Sequence, residues 1–301
     1  MTTTLERPIT EPTPRPKRKR LRIAIAIVLA IVVGVIGFRV YNVFVMYNSG
    51  ELVDVGGGRK IFVSCAGTGS PTVILEHGLD SSGFEWREVQ DAIADTTQVC
   101  FTSRANMGFS DRIPGDDQRT MQDAVDDLTA VLTAADVEGP YVLVGHSAGG
   151  LSMRLFADQH PEDVVGMVLV DTTHEDMLNR MEQALSSQAW SQLNSVWTSN
   201  AEGLDLPASS AEVAAIGDLG DLPLVVLEAG LSQTDDPPPG MTQNTIDEVQ
   251  AVFPAVESTL QAELAQLSTN STHLVVEDAG HFIHMQRPDV VIDAIESLLG
   301  G

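Results

Sequence analysis

The chain has 301 residues, of which 43% are hydrophobic and 20% charged, enough for one large α/β domain and an appendage. Its net charge of -25 is unevenly spread. Residues 1–50 hold eight basic and two acidic side chains, whereas residues 51–301 hold 9 basic and 40 acidic side chains. A strongly acidic body repels phosphate backbones, which argues against nucleic acid as a partner. No zinc-type Cys/His spacing is present, so we expect no metal and no other cofactor.

The N-terminal segment combines a basic cluster with an apolar run. Residues 1–20 end in five basic residues out of six, and we expect a basic cytoplasmic tail. From Ile23 to Phe38 no residue is charged, which corresponds to about 24 Å of helix. Because flanking arginines can snorkel, residues 21–47 are predicted to form one transmembrane anchor at the cell membrane, with the large domain extracytoplasmic. The alternative is a signal peptide cleaved after about residue 37, which releases a secreted protein.

From residue 50 onward, apolar β-type runs alternate with helix-like segments. Strands are predicted at 51–55, 59–65, 71–77, 98–102, 141–145, 164–170, 222–227 and 273–276. Helices are predicted at 86–94, 119–135, 151–159, 246–267 and 290–299. This alternation predicts an α/β fold with a doubly wound, mostly parallel sheet over residues 50–301. The polar region at 174–221 is an insert in that pattern.

One pentapeptide carries the strongest chemical signal. Gly145-His146-Ser147-Ala148-Gly149 fits the pattern Gly-x-Ser-x-Gly, in which the serine sits on a strained turn from a strand into a helix. The two glycines leave room for neighbouring backbone, so a side chain at 145 or 149 should crowd the turn. We therefore predict Ser147 as a nucleophile.

Together with the predicted strands and helices, this motif makes the chain resemble the α/β-hydrolase superfamily over about residues 50–301. The resemblance rests on four places, each after a predicted strand: His77-Gly78, the loop Arg104 to Asp111, the Gly145 to Gly149 turn, and Ala279-Gly280-His281. It implies the fold of that superfamily with a helical cap formed by the insert, and the chain order serine, acid, histidine. Two departures are Ser103 and Asn106, where relatives usually have Asp and Gly. Asparagine tolerates the left-handed conformation, so the turn can form.

A serine needs a base that accepts its proton, and seven histidines compete for that role. His281 follows Gly280 at the carboxyl end of a strand, where sheets of this kind assemble their sites, and we predict it as the base. His284 is expected to face a helix surface. The acid stays open between Asp171, which ends the sixth strand, and Asp235 or Asp236, which follow the next one. We prefer Asp171.

The resemblance implies that the oxyanion is held by the backbone N–H groups of Leu79 and Ala148. The predicted reaction is hydrolysis of a small-molecule or lipid-like carboxylic ester through an acyl-enzyme on Ser147. Dehalogenases and epoxide hydrolases typically carry Asp at this turn, so Ser147 argues against both. A cofactor-free haloperoxidase, a C–C bond hydrolase and a non-catalytic ligand-binding module remain alternatives.

The sequence does not indicate an oligomeric state.

The two cysteines lie in the second and fourth predicted strands, which are neighbours in the strand order that the resemblance implies. A Cys65–Cys100 disulfide is therefore feasible, and an exported domain permits it. The alternative is a pair of buried thiols.

Overall fold

The computed structural model describes residues 27–28, 31–35, 37, 41, 43, 45–115, 118–231 and 240–300. The chain divides into two compact units, residues 1–48 and residues 49–301. In the first unit, residues 31–35 and 45–47 are helical. Within the described ranges, no helix combines the length and the apolarity that crossing a bilayer requires. The predicted tail at 1–20 lies outside the described residues, as do 21–26 and several later positions of the predicted anchor at 21–47.

The second unit is built on an eight-stranded sheet in the order β1-β2-β4-β3-β5-β6-β7-β8. The first two pairings, β1 with β2 and β2 with β4, are antiparallel, and the others are parallel. The predicted mostly parallel sheet is confirmed. Its strands are β1 Glu51–Asp54, β2 Lys60–Ala66, β3 Thr72–Glu76, β4 Val99–Ser103, β5 Tyr141–His146, β6 Val164–Val170, β7 Leu224–Ala229 and β8 Ser271–Val276.

Helices connect the parallel strands and cover both faces of the sheet. Their bounds are α1 Arg87–Ile93, α2 Met121–Ala134, α3 Gly149–Gln159, α4 Met177–Ala184, α5 Ser187–Thr198, α6 Leu206–Ala214, α7 Gln243–Leu264, α8 Ile283–Gln286 and α9 Pro288–Leu299. Helix α3 starts two residues before its predicted start, directly behind the serine turn. The insert between β6 and β7 contains α4, α5 and α6, and we call it the cap.

The core lies on both sides of the sheet because successive strand residues point to opposite faces. Ile74 and Leu143 pack with helices α2 and α3 on one face. Val73 and Val142, their chain neighbours, pack with α1 and α9 on the other. Strands β3, β4 and β5 are buried along their whole length, as expected of continuous apolar runs in a parallel sheet. A separate apolar cluster joins α4, α5 and α7 above the sheet.

The two cysteines are bonded to each other. Cys65 on β2 lies directly opposite Cys100 on β4, with their Cα atoms 4.1 Å apart. The disulfide interpretation is therefore confirmed and the free-thiol alternative is wrong.

Candidate active site

The turn between β5 and α3 holds Ser147 in the left-handed region, at φ 51°. An L-residue rarely adopts this conformation without support from its surroundings. The glycines on either side let the backbone pass close by. A Cβ on Gly145 would lie 2.6 Å from the Cα of Gly150, and a Cβ on Gly149 would lie 2.5 Å from the carbonyl oxygen of His77. The predicted crowding at positions 145 and 149 is confirmed.

His281 and Asp171 form a direct hydrogen bond. The Nδ1 atom of His281 lies 2.7 Å from Oδ2 of Asp171, whose side chain is fully buried. The other carboxylate oxygen of Asp171 accepts from the backbone N–H of Ala229 at 2.9 Å. This second bond orients the carboxylate toward the imidazole. Asp235 and Asp236 lie outside the described residues.

A cavity of about 160 Å³ lies between the carboxyl edge of the sheet and the cap. All five residues that the sequence analysis assigned to the site line it: Leu79, Ser147, Ala148, Asp171 and His281. The remaining wall is mainly apolar and comes from helix α3, the cap and α7, with Leu151, Met177, Leu178, Trp197, Leu206 and Phe253. The fold thus brings together residues from four separate loops around one small apolar space.

Comparisons with known proteins bear on the same region. A family model described as alpha/beta hydrolase fold matches residues 71–202. The solved structure of a thermophilic esterase from Thermogutta terrifontis superposes with a TM-score of 0.56 at 20% identity, covering 83% of this chain and 97% of that one.

The chain has the α/β-hydrolase fold. The fold that the resemblance implies is thereby confirmed.

Two relatives by sequence are less informative about activity. The uncharacterized protein YqjL of Bacillus subtilis (strain 168) is 26% identical over 235 residues, covering 76% of this chain and 83% of that protein. The probable transporter efuK of Hormonema carpetanum is 35% identical over 136 residues, covering 43% of this chain and 19% of that protein. This chain therefore spans about one fifth of the length of the second relative.

Behind the candidate site, a buried guanidinium joins the cap to the sheet. Arg104 donates from Nε and Nη2 to the two carboxylate oxygens of Glu202 in the cap, both at 2.8 Å. Its Nη1 donates to the carboxylate of Glu76 and to the carbonyl of His77. Burial opposes the charge, but the two carboxylates raise the pKa of Arg104 above its ordinary value.

Glu202 also reaches the loop that carries Leu79. Its Oε1 accepts from the backbone N–H of Asp80 at 2.7 Å, and Asp80 in turn accepts from the N–H of Ala201 at 2.7 Å. The Asn106 side chain donates to the carbonyl of Glu202 at 2.6 Å. Asn106 has φ 71°, so its expected left-handed conformation is confirmed and its amide bonds to the cap. Sequence reasoning missed Glu202 because no motif surrounds it.

The histidine before this loop is held neutral by its neighbours. His77 Nε2 accepts from the backbone N–H of Arg104 at 3.1 Å, so its Nδ1 carries the hydrogen that bonds to the Gly78 carbonyl at 2.7 Å. Burial, assisted by the Arg104 guanidinium, lowers the pKa of His77 to about 3. The neutral imidazole of His77 thus hydrogen-bonds to the loop after β4 through Arg104 and to the loop after β3 through Gly78.

The expectation for His284 was wrong. Its side chain is 0% exposed and stacks on Trp86, with ring centroids 4.3 Å apart. Helix α8 has only four residues, and the face that carries His284 is buried toward the serine turn rather than exposed to solvent. The ring centroid of His146 lies 4.4 Å away.

Replacing the buried guanidinium tests its role in holding the cap. In Arg104→Met, Glu76 and Glu202 lose the charge that compensates them inside the protein. We expect the free energy of unfolding at pH 7 to fall by at least about 3 kcal/mol. Urea unfolding followed by circular dichroism measures this difference.

Arg119→Met is the matched control, because Arg119 is also buried and also bonded to a carboxylate. That carboxylate, Asp127, keeps a second guanidinium from Arg59 at 2.5 Å, so the loss should be clearly smaller. Equal losses in the two variants would contradict the role assigned to Arg104.

Proposed function

We propose that this α/β hydrolase cleaves small carboxylic esters by acyl transfer to water through Ser147. One observation carries the proposal: the His281–Asp171 pair, bonded at 2.7 Å, opens onto the same cavity as Ser147. An inert hydroxyl becomes a nucleophile only where a positioned base takes its proton. The proposed triad is therefore Ser147, His281 and Asp171.

The hydrogen bond to Asp171 defines the chemistry available to His281. A carboxylate only accepts, so Nδ1 of His281 carries a hydrogen and its Nε2 presents a lone pair. In the proposed reaction, Nε2 accepts the Ser147 proton as Oγ attacks the ester carbonyl, and then returns it to the leaving alkoxide. In the second half of the reaction, Nε2 takes a proton from water as the water attacks the acyl-enzyme. It then returns that proton to Oγ of Ser147 as the carboxylic acid leaves. Asp171 stabilises the imidazolium and fixes its tautomer.

The oxyanion is assigned to two backbone donors. Leu79 and Ala148 line the cavity beside Ser147, and their N–H groups are proposed to stabilise the tetrahedral intermediate. Helix α3 begins at Gly149, so its N-terminal end faces the same place and favours negative charge there. Preorganised donors of this kind contribute about 2.7–4 kcal/mol each.

The volume of the cavity limits the size of the acyl group that the site can hold. A space of about 160 Å³ is close to the apolar cavity of about 150 Å³ that accommodates benzene in another protein. Its apolar wall suits a short aliphatic or single-ring acyl chain better than a long lipid chain.

A fluorophosphonate probe tests the nucleophile. We expect the full chain to be labelled and to hydrolyse short-chain p-nitrophenyl esters, with turnover falling as the acyl chain lengthens. Ser147→Ala should lose both labelling and turnover, because it removes the hydroxyl that the proposed base activates. Ser210→Ala removes another serine that lines the cavity and should keep both. A folded wild-type chain that is neither labelled nor active would favour the ligand-binding module instead.

The acid is tested by exchanging carboxylate for amide. Asp171→Asn should lower kcat about 10³- to 10⁴-fold, because an amide nitrogen facing Nδ1 favours the wrong imidazole tautomer. Asp235→Asn and Asp236→Asn should change kcat little. Steady-state kinetics on one short-chain ester measures all three variants. Full activity in Asp171→Asn would rule out Asp171 as the acid.

We also propose that residues 21–47 anchor the hydrolase domain at the cell membrane with the domain outside. The basic cluster before the uncharged run supports this orientation, and the Cys65–Cys100 disulfide suits an oxidising compartment. We expect the full chain to remain in the membrane fraction after a carbonate wash. A mature protein that begins after about residue 37 would instead indicate a cleaved signal peptide.

A further inference from the structure

A buried cluster of potential metal ligands lies behind the serine turn. Glu85 is in the short turn before α1, His146 ends β5, and His284 lies in α8; we call these three residues the elbow cluster. Glu85 Oε1 lies 3.8 Å from Nδ1 of His146 and 3.5 Å from Nε2 of His284. One ligand atom from each residue lies within 4.8 Å of the other two.

Hydrogen bonds satisfy the facing atoms of the elbow cluster poorly. In the part of the chain that the structure describes, Glu85 Oε1, His146 Nδ1 and both ring nitrogens of His284 are buried and make no hydrogen bond of good geometry. The nearest approach, His284 Nε2 to Glu85 Oε1, is a long contact of 3.5 Å. The side chains of His146 and His284 are 1% and 0% exposed, so bulk water does not compensate them. An unsatisfied buried polar atom costs about 1–3 kcal/mol. Several such atoms pointing at one space indicate that something binds between them.

The tautomer of His146 shows which of its ring nitrogens can bind a cation. Its Nε2 lies 2.9 Å from the carbonyl oxygen of His281, and a carbonyl only accepts, so Nε2 carries the hydrogen. Nδ1 therefore presents a lone pair to the carboxylate of Glu85, which presents lone pairs as well. His284 Nε2 carries at most one hydrogen and satisfies at most one of these two acceptors.

We propose that the elbow cluster binds one divalent transition-metal ion of the zinc class through Glu85 Oε1, His146 Nδ1 and His284 Nε2. Two imidazoles and one carboxylate form a ligand set typical of zinc, whereas calcium and magnesium select oxygen atoms. Tetrahedral ligands at zinc distances of about 2.0–2.2 Å are separated by about 3.4 Å. The two distances to Glu85, 3.5 and 3.8 Å, are close to this value, and the two histidine ligand atoms lie within 4.8 Å of each other, so side-chain rotations would have to bring the imidazoles closer together.

The groups behind His146 and Glu85 fit this assignment. A histidine bound to a metal nearly always donates its other ring N–H to a carbonyl or carboxylate, and His146 donates to the His281 carbonyl. The second oxygen of Glu85 accepts from the Ser81 hydroxyl, which leaves Oε1 for the ion. Because His146 bonds to the backbone of His281, a bound ion would stabilise the loop that carries the proposed base.

Metal content tests the proposal without reference to activity. The full chain is produced in medium supplemented with Zn²⁺ or Co²⁺, so that it folds around the ion, and is then dialysed against a weak chelator. We expect about one ion per chain, measured by elemental analysis, and the visible absorption of low-coordinate Co²⁺. Chains without metal should have a lower Tm.

Two variants and a control localise the ion. Glu85→Gln and His284→Gln each remove a ligand and should weaken metal binding by at least about tenfold. His160→Gln removes a histidine that lies outside the elbow cluster and should retain one ion per chain.

Wild-type protein that holds no stoichiometric ion from either medium overturns the proposal, even if a variant fails to fold. Undiminished binding in folded Glu85→Gln and His284→Gln also overturns it, because the ion then lies elsewhere. Failure of the ester hydrolysis proposal would leave the metal content of the wild-type chain unchanged.

Discussion

The left-handed turn at Ser147 is the constraint on which the other parts of the site depend. A non-glycine residue at φ 51° costs about 1–3 kcal/mol, and it persists only where the surrounding structure holds it in place. Here β5 and α3 meet at an angle that Gly145, Gly149 and Gly150 permit, because a side chain at any of them would collide with neighbouring atoms. The strain places the serine at the apolar cavity instead of in the sheet.

The surroundings of this turn are charged and buried, which is unusual for the interior of a protein. Arg104 lies between Glu76 at the end of β3 and Glu202 in the cap, and Glu202 also holds the backbone of Asp80. The cap is thus hydrogen-bonded to the loop that carries Leu79 and does not simply cover it. A rigid connection of this kind keeps the cavity small and the proposed donors preorganised.

The elbow cluster is a second group of buried polar side chains next to the serine turn. His146 is adjacent to the proposed nucleophile along the chain and bonds to the backbone of the proposed base. Glu85 and His284 complete a group of facing metal-ligand atoms that hydrogen bonds between the described residues satisfy poorly. A cation there would link the three loops that carry Ser147, His281 and the turn before α1.

The sequence by itself determined the sheet, the order of its elements, the serine turn and the candidate residues Ser147, His281 and Asp171, because these follow from apolar periodicity and local turn chemistry. Only the tertiary structure decided that Asp171 bonds to His281, that Cys65 meets Cys100, and that His284 is buried beside Glu85. Those contacts join residues far apart in the chain, and local patterns carry no information about them. The same reason explains why an expectation of no metal, based on spacing along the chain, did not detect the elbow cluster.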